Sequence, residues 1–155
     1  RVEIALTLLT NHSKTKALTI EAPDAPQPLG HEPQAVKAGD LLFFSTQMAF
    51  DSTGNLAEGM VRHPSFPWYG SPGQAQLRSM MKNINAICKA AGTTTDNICR
   101  RVCFHDDFQW FAESIEEWAS HFPDDKPAST TIRLGGPLVA PGANTLLDLI
   151  AYAPN

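Results

Sequence analysis

Two polar residues lie in apolar, strand-like surroundings where a side chain could take part in chemistry. Ser45 follows the apolar run Leu41–Phe44, and Asp148 interrupts the apolar run Leu146–Ile150. A carboxylate among apolar residues is costly unless it is paired, so Asp148 needs a partner or has a raised pKa. Such a group can position and protonate a water molecule or a leaving nitrogen. The structural alternatives are that Ser45 caps a strand end and that Asp148 pairs with an arginine.

Three potential metal ligands fall close together in a second strand-like segment. Cys99, Cys103 and His105 alternate onto one face if this segment is a regular strand. A strand would spread them over about 20 Å and supplies only three ligands, so we expect no metal. We also expect no nucleophile at Cys103, because no clear base lies near it in sequence.

The segment from Gly59 to Gly73 holds three prolines, three glycines and three aromatic residues. Loops of this length inside a compact domain are functional or disordered, and the aromatic residues argue against disorder. Trp68 and Tyr69 are therefore candidates for a lid over a ligand cleft. Three further polar residues could line the same cleft: His31, Glu32 and His63.

Two amphipathic helices are predicted. In the first, from about Gly73 to Ala91, apolar residues recur at three- and four-residue steps, and Gly92 suits a left-handed C-cap. The second runs from about Asp107 to Phe122 and is followed by Pro123. Its apolar face consists of Phe108, Phe111, Ile115, Trp118 and Phe122.

Shorter apolar or β-branched runs predict five strands. In the fourth of these, Thr and Ile are frequent. In the fifth, most residues are apolar, which suits a central position in the sheet. The predicted strands are Ala17–Glu21, Leu41–Ser45, Ile98–Phe104, Ser129–Leu134 and Thr145–Tyr152. Within the third strand, Ile98, Val102 and Phe104 are expected to share a face.

The order of these elements predicts an α+β fold with a single mixed sheet and both helices packed on one face. The other face of the sheet is then open or covered by a partner, which is a recurrent reason for oligomers.

Composition excludes several classes of protein. The net charge of −4 disfavours nucleic-acid binding. The sequence contains no run of 18 apolar residues, so we expect no membrane span. Three cysteines, an odd number, suit a reducing compartment, and we expect a cytoplasmic protein. No cofactor is expected.

Several segments, taken in order, resemble the RidA (YjgF) family. They are Lys16–Ile20, Ala25–Pro26, Leu29–Gly30, Gln34–Gln47, Ala90–Gly92, Arg101–Phe104 and Lys126–Thr130, and the likeness covers about residues 16 to 153. The resemblance implies a chorismate-mutase-like fold, a homotrimer around a barrel-like centre, and ligand clefts at subunit boundaries. It also implies hydrolysis of reactive enamines or imines to oxoacids and ammonia.

The carboxylate-binding position of that family is changed in this chain. After Lys126-Pro127-Ala128, where family members carry an arginine that grips the substrate carboxylate, the residue is Ser129. Arg133 shares the strand face of Ser129 but lies roughly 13 Å along it, so it can serve an anion farther along the cleft without replacing that arginine. A salt bridge is the competing interpretation for Arg133, and equally for Arg100 and Arg101.

Other family positions are partly kept. Ser45 is retained although Thr46 replaces the glycine after it, and Asp148 stands where a glutamate is usual. Glu32 replaces a tyrosine and Ile115 an asparagine.

We therefore assign candidate roles by this resemblance. Ser45 and Asp148 are the candidate catalytic residues, and the candidate substrate-binding residues are Glu32, Gln47, Ser129, Arg133, Trp68 and Tyr69.

Two functions remain open. The first is a divergent enzyme that hydrolyses an enamine, an imine or a related small nitrogen compound, as 2-aminomuconate deaminases do. The second is a non-catalytic module that binds a small ligand or acts as a scaffold.

Residues 1–15 are predicted to lie outside the core of the domain, which spans 16–155. Arg1–Ala5 resembles the closing strand of the same family, so these residues could end a preceding domain of a tandem protein. Alternatively, they form an N-terminal extension that adds one edge strand.

We predict slow hydrolysis of 2-imino acids derived from simple amino acids. Loss of a bidentate charged contact costs about 1.5–3 kcal/mol, which corresponds to roughly 10–100-fold in rate. The measurement is 2-oxobutyrate release from 2-iminobutyrate generated in situ, with Ser129→Arg as the variant that should recover activity. Wild-type rates equal to those of arginine-bearing members would contradict the prediction.

Overall fold

The computed structural model describes residues 6–10, 12–63, 65–66 and 70–154, and its centre is a six-stranded sheet. The spatial order of the strands is β1-β2-β3-β6-β4-β5, with every neighbouring pair antiparallel except β4 and β5. The strands are β1 (Ala17–Ile20), β2 (Ala35–Ala38), β3 (Leu41–Phe44), β4 (Ile98–His105), β5 (Ala128–Arg133) and β6 (Thr145–Tyr152).

Sequence patterns identify all of these strands except β2. The four residues of β2, Ala-Val-Lys-Ala, include a single β-branched residue and no continuous apolar run, so they carry no strand signal. β2 is positioned by the buried side chain of Gln34, which accepts a hydrogen bond from Ala22 N and donates to Ala22 O, Ala25 O and Pro26 O. This amide ties the proline-rich turn, which contains Pro23, Pro26 and Pro28, to the start of β2.

Both helices pack on the same face of the sheet, as expected. Helix α1 (Pro72–Ala90) begins with proline at its first position, where the missing N–H costs nothing. It ends before Gly92, whose φ of 75° is the left-handed conformation that glycine adopts without strain. Helix α1 packs against β6 and against the second helix.

The second helix is shorter than predicted. A 3₁₀ turn (Phe108–Trp110) precedes helix α2 (Phe111–Ser120), and Asp107 caps the turn by accepting a hydrogen bond from Gln109 N. Trp118 and Phe122 are buried, whereas the Phe108 and Phe111 side chains are exposed. Only the C-terminal half of the predicted apolar face therefore reaches the core.

The core lies between the helices and one side of the central strand β6. Leu147, Leu149 and Ala151 point into it and are completely buried, while the residues between them are only half-buried. Full burial of each leucine contributes about 1.5–3 kcal/mol. No helix of the described residues lies on the opposite side of the sheet, so the α+β class with one mixed sheet and one covered face is confirmed.

Strand β4 contains an irregularity that changes which residues share a face. Ile98 pairs with Ala151 but Arg100 pairs with Ile150, so Cys99 is an extra residue in the ladder. The expectation that Ile98, Val102 and Phe104 share a face is therefore wrong, because the bulge shifts the alternation by one residue. Beyond it, three polar residues face the helices and are buried: Arg101, Cys103 and His105.

The segment before β1 forms no regular element in its described residues 6–10 and 12–16, and Leu6, Leu8 and Leu9 are exposed there. Residues 1–5 lie outside the described part, so both interpretations of residues 1–15 stay predictions. In the described ranges no helix has the length and apolar character needed to cross a membrane.

We predict that Cys99 is the thiol that reacts in the native protein. It is exposed, whereas burial raises the pKa of Cys103 to about 11 and that of Cys88 to about 12. At pH 8 a thiol of pKa about 11 is only about 0.1% thiolate, and thiolate is the nucleophile. Iodoacetamide followed by peptide mass spectrometry should find label at Cys99 alone until guanidinium unfolds the chain.

The matched control is Cys99→Ser, which should take up no label in the native state. Rapid native labelling of Cys103 would show that β4 opens far more readily than its burial indicates.

Candidate functional site

Ser45 and Asp148 lie next to each other in the sheet, although far apart in sequence. Phe43 pairs with Ile150 and Gln47 with Leu147, so the segment that contains Ser45 runs past Asp148. Residues 44–46 lie between these two pairs, and only Asp148 and Leu149 lie opposite them on β6. The structure thus brings the two candidate catalytic positions to one place, at the end of β3.

The Ser45 hydroxyl already has an acceptor. Its Oγ donates to Pro33 O at 2.5 Å, and its backbone N donates to Gln34 O. This is the strand-end role anticipated as the structural alternative. The Oγ lone pairs remain available to accept a hydrogen bond from a water molecule or a ligand N–H.

Gln47 belongs to the same turn. Its side-chain Nε2 donates to Ser45 O at 2.7 Å, and its backbone exchanges two 2.9 Å hydrogen bonds with Leu147. The side chain is buried and stiffens the turn that carries Ser45. This contact is structural, because the amide holds the backbone of Ser45 in place.

Asp148 projects from the face of the sheet that no helix covers. Its Oδ2 lies 3.4 Å from Arg100 Nη1, and the two side chains are 44% and 48% exposed. An ion pair this exposed is worth at most about 1 kcal/mol, so it leaves the carboxylate available to a ligand or water. Arg100 is therefore the partner that Asp148 was expected to need in an apolar strand.

Apolar side chains surround this ion pair. Leu146, Ile150, Phe43 and Phe104 are half-buried on the same face, and further out Ile132 and Tyr152 are 41% and 47% exposed. The open face is thus an apolar surface with one charged pair near its middle. Such surfaces mark interaction sites in soluble proteins.

Glu32 lies in an open groove of about 630 Å³ between β1 and the proline-rich turn. Its neighbour Pro33 accepts the hydrogen bond from Ser45, so the groove ends beside the serine. His31 lines the same groove, whereas His63 lies elsewhere and accepts a hydrogen bond from Ser65 N through Nδ1. The other two candidates for the cleft, Trp68 and Tyr69, lie outside the described residues.

Ser129 and Arg133 lie at the other end of the sheet, on the edge strand β5. Arg133 pairs with Asp107 at 3.4 Å across an exposed groove of about 600 Å³. This is the salt bridge considered as its alternative role. Within one chain, neither residue reaches Ser45, because the two strands β6 and β4 lie between β5 and β3.

The sequence patterns did not indicate the surroundings of Ser129. Its Oγ accepts a 3.0 Å hydrogen bond from Arg101 Nε, and the Arg101 guanidinium stacks over the Trp118 ring at 4.6 Å. Burial lowers the pKa of Arg101, and the charge of Cys103 acts in the opposite direction with a smaller effect. A signal was present, because Arg101 alternates with Cys103 and His105 along β4. The expectation of a solvated or interface salt bridge holds for Arg100 and not for Arg101.

Cys103 does have a base beside it, contrary to expectation. His105 Nε2 lies 3.3 Å from Cys103 Sγ and 3.2 Å from Ser114 Oγ, and Nδ1 contacts Asn144 O and Thr145 Oγ1. Burial raises the pKa of the thiol and lowers that of the imidazole, so both groups are held neutral. A neutral, fully enclosed pair is a packing and hydrogen-bonding unit of the core, not a nucleophile with its base.

The bulge also separates Cys99 from the other two potential metal ligands. The Cys99 thiol is exposed and contacts Ile150 O, whereas Cys103 and His105 face the core. In the ranges the structure covers, no group of three or more His, Cys, Asp or Glu residues is arranged to hold a metal ion.

Sequence comparison finds relatives along most of the chain. Residues 22–151 match the family described as Endoribonuclease L-PSP. A RutC family protein of Pyrococcus horikoshii is 30% identical over 112 residues, which are 72% of this chain and 79% of that protein. The mitochondrial protein mmf2 of Schizosaccharomyces pombe is 30% identical over 119 residues, 76% of this chain and 84% of the relative.

Solved structures agree with this likeness. RidA from the Antarctic bacterium Psychrobacter sp. PAMC 21119 superposes with a TM-score of 0.72 at 27% identity, over 87% of this chain and 98% of that one. A protein of the conserved Rid family from Yersinia pestis gives 0.73 at 26% identity, over 88% and 99%. With its sheet order, its two helices on one face and these matches, the chain belongs to the Endoribonuclease L-PSP family, to which the RidA and RutC proteins are assigned.

Proposed function

We propose that this protein is a divergent RidA-like hydrolase that acts on an imine, an enamine or a related small nitrogen compound. The observation that carries the proposal is the half-exposed Asp148 carboxylate beside the end of β3, on the uncovered face of the sheet. Its exposed ion pair with Arg100 leaves it free to exchange protons with a ligand.

The reaction needs one water molecule and one proton shuttle. Water adds to the carbon of the C=N bond, and that carbon becomes a carbonyl as ammonia leaves. Asp148 takes a proton from the attacking water and passes it to the nitrogen, which gives a carbinolamine. It then carries the proton of the carbinolamine hydroxyl to the same nitrogen, so ammonia leaves as the carbonyl forms and no external acid or base is consumed. Ser45 Oγ accepts a hydrogen bond from the water or the substrate nitrogen while it donates to Pro33 O.

The substrate is proposed to bind between copies of the chain. Glu32 and Gln47 lie on one side of the sheet, and Ser129 and Arg133 lie on its β5 edge. A cleft formed where the β5 edge of one copy meets the Ser45–Asp148 region of another would unite the two sets. Trp68 and Tyr69 remain the candidates for its lid.

A small ligand suits this chain better than nucleic acid, despite the wording of the family description. The net charge is −4, and a nucleic-acid site needs several cations to neutralise phosphates. Four arginines are already paired with carboxylates: Arg62, Arg78, Arg100 and Arg133. We place the protein in the cytoplasm, in keeping with three free thiols.

The second candidate function is a ligand-binding or scaffold module without turnover, either by itself or as one half of a tandem protein. The observation that favours it is the Ser129 side chain, which offers no cation at the exposed edge of β5. Ligand binding with ammonia release no faster than the spontaneous rate would identify this function.

We predict a homotrimer. Copies that pack their uncovered sheet faces together would bury the apolar residues around Asp148, and this burial drives association. Size-exclusion chromatography with light scattering should give three times the chain mass of 16.9 kDa. A charge at the half-buried Ile150, as in Ile150→Glu, should reduce this to one chain mass.

The matched control for the assembly state is Val139→Glu. Val139 is 78% exposed and lies in the loop between β5 and β6, outside the sheet, so this variant should stay trimeric. A wild-type protein that remains monomeric across micromolar concentrations would refute the trimer.

We predict that Asp148→Asn lowers the hydrolytic rate by about 10²–10⁴-fold, the usual contribution of a general acid–base group. The measurement is ammonia release above the spontaneous rate from a panel of in-situ-generated imines and 2-aminomuconate. Asp148→Glu, which keeps the carboxyl group, should retain most of the activity.

Asp124→Asn removes a carboxylate from an exposed loop and should leave the rate unchanged. Equal rates for wild type and Asp148→Asn would remove Asp148 from the mechanism.

A further inference from the structure

One arginine differs from all the others that the structure describes. Arg101 is only 1% exposed, on the helix-facing side of β4, with the Trp118 ring against one face of its guanidinium at 4.6 Å. Arg62, Arg78, Arg100 and Arg133 are far more exposed, and each has a carboxylate within 4 Å.

Arg101 has no such partner among the described residues. Its Nε donates to Ser129 Oγ at 3.0 Å, and its buried Nη1 has no hydrogen-bond acceptor. A buried, unpaired charge is strongly unfavourable, and an unsatisfied buried donor adds to that cost. The folded chain thus maintains a cation in a place where it lacks an anion.

We propose that Arg101, together with the hydroxyl group of Ser129, is the binding site for the carboxylate of the ligand. Ser129 Oγ accepts the Nε–H bond, so its own proton is free to be donated to an anion. Two donors without acceptors, Nη1 and this hydroxyl, therefore lie together on neighbouring strands that are paired in register at these residues.

The chemistry of the site favours a carboxylate. The guanidinium fork matches the two oxygens of a planar carboxylate, and a single buried cation balances a single negative charge. A phosphate carries about −1.5 to −2 near neutral pH and would need a second cation. Access is from the β5 side, because Ser129 and the rest of this edge strand are largely exposed.

This inference deepens the proposed function, since it specifies that the imine or enamine substrate carries a carboxylate. It is compatible with slow turnover of 2-iminobutyrate. The Arg101 guanidinium lies beside Ser129 Oγ and against the Trp118 ring. A carboxylate held there therefore places its imino carbon differently from one gripped by a side chain at position 129.

The test uses pyruvate as a carboxylate probe and methyl pyruvate as its neutral counterpart, in a buffer free of small anions. Because a ligand that binds only the folded state raises the melting temperature, pyruvate should stabilise the wild-type protein in a concentration-dependent way. Methyl pyruvate should not. Calorimetric titration should show pyruvate binding about 10–100-fold weaker in Arg101→Met, the range expected for a lost charge-assisted contact.

Without pyruvate, Arg101→Met should melt at a higher temperature than the wild type, because it removes an unpaired buried charge. Lys82→Gln removes one exposed positive charge from α1 and should keep the pyruvate response. Ser129→Ala keeps Arg101 and removes the hydroxyl donor, so it should weaken pyruvate binding even if Arg101→Met does not fold.

The inference is overturned if wild-type protein shows no pyruvate-dependent shift, or if the shift persists in both Arg101→Met and Ser129→Ala. It is also overturned if Arg101→Met melts lower and dissociates the assembly, since a carboxylate of a second copy would then be the partner. None of these measurements requires turnover. Failure here with sustained ammonia release would leave the proposed function intact, and pyruvate binding without ammonia release would leave this site intact.

Discussion

The structure depends on the position of β6 between β3 and β4, with different surroundings on its two faces. Leu147 and Leu149 point toward the helices and are completely buried, whereas Asp148 between them points to the uncovered face. A strand at the centre of a sheet cannot slip by one residue without moving every side chain to the other face. Packing of the two leucines therefore holds the carboxylate on the exposed side, where it can meet a ligand or another copy of the chain.

Strand β4 adds a second constraint through one extra residue. The bulge at Cys99 places Arg100 on the open face beside Asp148, and it turns Arg101 toward the helices. Two consecutive arginines thus point to opposite sides of the sheet and have different surroundings. Arg100 has an exposed carboxylate partner, whereas Arg101 is buried over Trp118 with no carboxylate partner in the described part of the chain. Regular alternation from Ile98 would have sent each arginine to the other face.

In the proposed enzyme, the open face of the sheet and its β5 edge have different roles. The open face carries the proton-transfer group and the apolar surface that copies would share. At and beside the β5 edge lie two donors without an acceptor among the described residues, the Ser129 hydroxyl and Nη1 of the buried Arg101 on β4. Functional sites often keep groups that are unfavourable for stability, because an anion binds best where a cation is not already satisfied. The core pair Cys103–His105 shows the contrary case, in which burial holds both groups neutral.

The sequence by itself determined the two helices, five of the six strands and the family, because these follow from local periodicity and from ordered segments that survive divergence. It also singled out Asp148, since one carboxylate in an apolar strand is a strong local signal. Only the tertiary structure decided that Cys103 contacts His105, that Arg100 is the partner of Asp148, and that Arg101 is buried beside Ser129. These facts depend on a one-residue bulge and on pairing between strands distant in sequence, and local patterns contain no information about either.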